Sequence, residues 1–164
     1  MDTAAAAAPA ADRLRELAAQ LASHSGFSEV LASLEAGHGG TLGGVWGSSR
    51  ALVAAALAPT CPGPLVVVCP HLGDVDFLAD DLELFTELPV ARLPAWESEP
   101  GERVVHDEIF GERLRVLKQL ANSRDETSSR DPGDQVWSRL GLVVTSIQAL
   151  LQPVPSRDAL ADAT

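Results

Sequence analysis

A chain of 164 residues, 46% of them hydrophobic, has room for one ordinary domain and enough apolar mass to give it a core. Its 23 acidic against 12 basic side chains leave a formal charge of -11, which repels phosphate backbones and argues against autonomous nucleic-acid binding. Two cysteines, Cys61 and Cys69, are too few for a disulfide framework and too far apart for a CxxC motif, and the four histidines show no ligand spacing, so no metal is expected.

The opening Met1–Ala11 is Ala-rich, carries Asp2 and lacks a basic n-region, and it reads as a flexible leader (1–11) rather than a signal peptide. No run reaches the ~18 apolar residues of a membrane span, so a cytoplasmic location is expected. From Asp12 to Leu34, Leu14, Leu17, Leu21, Phe27, Val30, Leu31 and Leu34 recur at roughly helical spacing with a break at Gly26, predicting two short helices within an N-terminal helical segment (12–39). A breaker cluster, Glu35 to Gly40, precedes a predicted α/β domain (40–153). That domain starts with a weak strand at Thr41–Val45, a Gly/Ser turn, and a helix over Ala51–Ala58 that ends at Pro59.

Leu65–Cys69 is a continuous apolar run between prolines, the pattern of a central parallel strand buried on both faces. Asp74–Leu88 predicts an amphipathic helix with Val75, Leu78, Leu82 and Phe85 as its apolar stripe and Asp74, Asp76, Asp80, Asp81 and Glu83 as its wet face. Val90–Leu93 follows as a short strand, Pro94–Val105 as an irregular loop and Glu108–Leu120 as a helix. The polar stretch Asn122–Gln135 reads as an exposed loop, Leu140–Thr145 as a strand and Ser146–Leu151 as a short helix; the tail (154–164) follows Pro153. Alternating strands and helices predict an α/β fold with a mainly parallel sheet flanked by helices.

One segment has chemical content. Gly44-Val45-Trp46-Gly47-Ser48-Ser49-Arg50-Ala51 stands between a predicted strand and a helix, where a P-loop (Walker A, G-x-x-x-x-G-K-[ST]) belongs. That loop works because glycines let backbone N–H groups wrap a phosphate, a lysine reaches the terminal phosphates and a hydroxyl holds Mg²⁺. Here Gly44 is kept, but Ser49 replaces the second glycine, Arg50 the lysine and Ala51 the metal ligand. Catalysis and a nucleotide cofactor are therefore not expected. Ser48, Ser49 and Arg50 are left as candidates for a weak anion site, against the alternative of a plain turn in which Ser48 or Ser49 caps the helix.

The degenerate loop, Gly44 to Leu52, resembles the segment that opens the UvrB-homology module of bacterial transcription-repair coupling factors (Mfd). Three further segments resemble that family in the same order: Leu93-Pro94-Ala95-Trp96-Glu97-Ser98-Glu99-Pro100, then Glu108 to Leu117 with Arg113 and Arg115, then Val143 to Gln152. Without the family, Trp96 reads as a core aromatic, Arg113 and Arg115 as a solvated helix face, and Glu97, Glu99 and Glu102 as carboxylates with no nucleophile or pocket beside them.

The resemblance implies a degenerate P-loop, UvrB-like domain from the N-terminal region of a factor that displaces stalled RNA polymerase using ATP and recruits excision-repair proteins. The chain then corresponds to a fragment: a non-catalytic scaffold and regulatory module whose first partner is the rest of the Mfd chain. UvrA contact would come through the following domain, and RNA polymerase and DNA contact through downstream domains; Glu99–Glu108 is too short for UvrB's DNA-gripping hairpin. Two other readings stay open, a P-loop nucleotide-binding enzyme with an atypical loop and a protein-interaction domain unrelated to repair.

Overall fold

The computed structural model describes residues 3–96, 107–125 and 140–162. Two helices, α1 (Thr3–Ala22) and α2 (Ser25–Glu35), lead through residues 36–48 into α3 (Ser49–Leu57). Then come β1 (Leu65–Cys69), α4 (Asp74–Phe85), β2 (Val90–Leu93), α5 (Asp107–Asp125), β3 (Leu142–Ser146), α6 (Ile147–Leu151) and α7 (Arg157–Asp162). The three strands form one parallel sheet in the order β1-β3-β2, with Val66 opposite Val143 and Ala91 opposite Val143 on the other side.

The helices lie where crossover handedness requires. From β1 the chain crosses to β2 through α4, and from β2 it returns to β3 through α5. Right-handed crossovers in opposite directions demand opposite faces of the sheet. Accordingly, Leu142 and Val144 of β3 pack with Val75, Leu78 and Leu82 of α4 and with alanines of α3, while Val143 packs with Val116 of α5. Ala18 of α1 and Phe27 of α2 join the α4-side core, so both N-terminal helices are packed onto the α/β layer. At the entrance to β3, the N–H groups of Gly141 and Leu142 both donate to the Pro89 carbonyl, at 3.1 and 3.0 Å. A Cβ at Gly141 would lie 2.5 Å from the Leu88 Cβ, so this approach admits only glycine.

The α/β class and the parallel sheet are as the sequence predicts; several details differ. All five residues of β3 are buried, and it is the central strand. β1 is an edge strand whose Val66 and Val68 remain exposed, because α5 covers β2 and β3 and leaves this face of β1 bare. A continuous apolar run does not distinguish a central strand from an edge strand with one bare face. Thr41–Val45 is not a strand: it pairs with no strand among the described residues, and its residues are largely solvent-exposed. Four glycines among residues 39–44 leave it few side chains to pack.

The segment read as a flexible leader enters α1 at Thr3, and Asn122–Asp125 complete the last turn of α5 rather than opening a loop. The expected loops at Glu97–Val105 and 126–135 lie outside the described residues. α4 stops at Phe85, three residues early, where Thr86 turns extended and its Oγ1 accepts a hydrogen bond from the Leu88 N–H at 3.1 Å. The tail beyond Pro155 forms α7, which packs on α5 and sends Arg157 Nη2 to the Ala121 carbonyl at 3.3 Å.

Candidate functional site

The C-terminal ends of all three strands point to one edge of the sheet, where open parallel sheets place their ligands. The degenerate loop and the other family-like segments both lie at this edge.

In the loop, Gly44 and Gly47 take positive φ, +76° and +53°, and wind the chain into a tight turn. The Ser49 and Arg50 N–H groups, which a phosphate cradle would aim at its ligand, donate to the carbonyls of Trp46 and Gly47, each at 3.1 Å. The Ser49 hydroxyl accepts from the Trp46 N–H at 3.0 Å and donates to the Trp46 carbonyl. Ser48 occupies the N-cap position of α3 without a side-chain bond, so neither serine caps the helix as a plain turn would have it. Arg50 donates from Nε to the Gly47 carbonyl at 3.3 Å, and its Nη1 lies 3.9 Å from an Asp74 carboxylate oxygen. Ala51 is fully buried in the core. The three anion-site candidates are thus adjacent, but the backbone N–H groups of Ser49 and Arg50 and the Arg50 Nε are occupied within the turn, and a carboxylate faces the guanidinium.

The other three family-like segments meet at Trp96. Gln152, at the end of α6, brackets its peptide group: Oε1 accepts from the Trp96 N–H at 2.7 Å and Nε2 donates to the Trp96 carbonyl at 2.9 Å. This side chain makes the paired hydrogen bonds that a neighbouring strand would make. Arg113, from the middle of α5, is 2% exposed; it donates from Nη1 to the Pro94 carbonyl and stacks its guanidinium 5.2 Å from the centre of the Trp96 ring. Burial lowers the Arg113 pKa. Thr145 ties the end of β3 to that of β2 by donating to the Leu93 carbonyl at 2.9 Å, and the Ser146 hydroxyl accepts from the Ala149 N–H at 3.2 Å to start α6.

The solvated face expected for Arg113 and Arg115 therefore holds only for Arg115, which is exposed. Arg113 turns inward because Val116 and Leu117, on its own helical face, pack against β2 and β3. Two donors at this junction, Arg113 Nη2 and Trp96 Nε1, are buried without a hydrogen-bond partner among the described residues. The carboxylates Glu97, Glu99 and Glu102 lie outside the described residues. Sequence reasoning missed Gln152 as a contact. A glutamine at a helix end followed by Pro153 has an ordinary surface reading, and only the fold brings it back to Trp96.

Among the described residues no cluster of His, Cys, Asp and Glu could hold a metal, and no helix is long and apolar enough to cross a membrane. Cys69, at the end of β1, is buried; its thiol pKa is raised first by burial and then by Asp74, with Arg50 acting in the opposite sense.

A three-stranded parallel sheet between helices defines a small α/β layer, and the turn that leads into α3 is closed by its own hydrogen bonds. The chain is similar in sequence to a segment of proteins named transcription-repair-coupling factor. It is 41% identical over 108 residues to those of Mycobacterium bovis and Mycobacterium tuberculosis, a match covering 65% of this chain. To that of Escherichia coli it is 32% identical over 88 residues, covering 53% of the chain. In each case the match spans 8% of the relative's length. No family model matches the chain.

Proposed function

We propose that this chain is a non-catalytic, UvrB-like module of a transcription-repair-coupling factor, with residues 40–153 as its α/β unit, and that it acts in repair by assembly rather than by chemistry. Support comes from the 41% identity to relatives bearing that name and from one feature of the structure. The three family-like segments following the loop are joined side chain to backbone at Trp96, a connection that fixes the shape of a platform. In this reading the rest of a coupling factor supplies the ATP-driven motor that displaces stalled RNA polymerase. A following domain, not this chain, touches UvrA, and DNA is held elsewhere.

The reading as a nucleotide-binding enzyme with an atypical loop is disfavoured by the internal bonds of Ser49 and Arg50 and by Asp74 beside Arg50, which would repel a phosphate. Equilibrium titration with a fluorescent ATP analogue and Mg²⁺ separates the two. A non-catalytic module gives no saturable signal. Micromolar affinity that collapses in Arg50→Ala would refute the platform reading and favour nucleotide binding at this loop.

A further inference from the structure

The outward side of α4 is neither a plain solvated face nor part of the Trp96 latch. Val75, Leu78, Ala79, Leu82 and Phe85 face the core, yet Phe77 and Leu84, two turns apart on the opposite side, are 75% and 46% exposed. Trp46, 80% exposed, opens the turn into α3, and Arg50 of that turn reaches Asp74 at the first residue of α4, one helical turn before Phe77. Large exposed aromatics grouped along one side of a protein mark interaction surfaces more often than isolated ones do.

The charge around these side chains is one-sided. Asp76, Asp80 and Glu83 share a single cation, Arg92 of β2, which lies 3.5 Å from Asp76 and 3.4 Å from Glu83 and also pairs with Asp80. Asp81 makes no ion pair among the described residues. Four carboxylates against one guanidinium leave a negative strip beside exposed ring faces. Ring faces attract guanidinium and ammonium groups, and carboxylates pair with them. The same strip repels the phosphates of nucleic acid.

We propose that Phe77, Leu84 and Trp46, with the carboxylates of α4, form a docking surface for an Arg/Lys-rich amphipathic segment of a partner protein. The partner's apolar side chains seat against Phe77 and Leu84, and its basic side chains lie over Trp46 and along Asp76, Asp80 and Asp81. The surface is separate from the Trp96 latch, and the proposal does not depend on the coupling-factor reading.

The test is fluorescence anisotropy of the 164-residue chain with a labelled amphipathic peptide built from Arg, Leu and Ala, and with a second peptide carrying Glu in place of Arg. The Arg peptide binds saturably and the Glu peptide does not. Phe77→Ser weakens binding about tenfold, as loss of one seated aromatic anchor does, and Asp80→Asn combined with Asp81→Asn weakens it further. Phe77 is three-quarters exposed, so its replacement leaves the fold intact, as circular dichroism checks. Three results overturn the proposal: no saturable binding, equal affinity for Phe77→Ser and the parent chain, or a Glu29→Gln control on α2 that loses as much as the α4 carboxylate variant.

Discussion

Arg113 is the side chain whose replacement tests the latch most directly, and its alanine and methionine variants are expected to diverge. Truncation to alanine removes the hydrogen bond to the Pro94 carbonyl and the stack on Trp96, and it empties a volume inside the layer. A hydrogen bond from a charged donor contributes roughly 1.5–3 kcal/mol, and a desolvated cation–π contact about 2 kcal/mol. Against these stands relief: burial disfavours the charge, and Nη2 has no partner among the described residues. The relief offsets much of the polar loss, while the cavity adds a cost of its own, so Arg113→Ala should destabilise by about 2–4 kcal/mol.

Methionine keeps most of the volume and shares the relief, so Arg113→Met should lie within about 1.5 kcal/mol of the parent. Urea unfolding followed by tryptophan fluorescence reads both, as shifts of the midpoint at constant slope. An alanine variant within about 0.5 kcal/mol of the parent would show that the latch carries little stability. A methionine variant as damaged as alanine would show that the charge, not the packing, is what the site requires.

Gln152→Ala should cost about 1–2 kcal/mol by the same assay, from two lost bonds to the Trp96 backbone. Gln152→Glu should cost more, since a carboxylate oxygen would then face the Trp96 carbonyl; a Glu variant milder than Ala refutes the clamp. Gel shifts with damaged and undamaged duplex should show no complex at micromolar protein and physiological salt, given the net charge of -11; a salt-sensitive shift would contradict this. In the native state iodoacetamide should modify the partly exposed Cys61 well before the buried Cys69, whose thiolate is disfavoured by burial and Asp74. Equal labelling rates by mass spectrometry would show that β1 opens easily. Light scattering should find self-association, because β1 offers an unpaired edge and bare valines at 66 and 68; Val68→Lys should reduce it, and a monomeric parent would sink the idea.

The elements legible in the sequence were those whose pattern is local. Leu65–Cys69, Val90–Leu93 and the stripe of α4 each follow from a few neighbouring residues, and the structure places them within a residue or a few of expectation. Which strand is central is a different kind of fact. Leu65–Cys69 and the Leu142–Val144 part of β3 are both apolar runs, and what buries the second on both faces is that α4 and α5 reach it from opposite sides. That outcome is set by crossover handedness and strand order, which periodicity does not encode. Thr41–Val45 failed for the complementary reason: its pattern suggested a strand, but a strand needs a neighbour, and no strand among the described residues takes it up.

The site divides along the same line. That Arg50 and Ala51 stand where a P-loop would carry its lysine and metal ligand could be read directly from the sequence. That its amides are turned inward, and that Asp74 stands beside Arg50, depends on where α4 begins in space. Arg113 shows the limit most sharply. Local sequence assigns a helical arginine between Glu112 and Leu114 to water, since a buried guanidinium is costly unless the fold supplies a carbonyl and an aromatic face. Here both come from one turn of chain, Pro94 to Trp96, whose position is itself fixed by Gln152. Each of the three is ordinary in isolation. Their interdependence joins three segments distant in sequence into one unit, so loss of any one should loosen the other two.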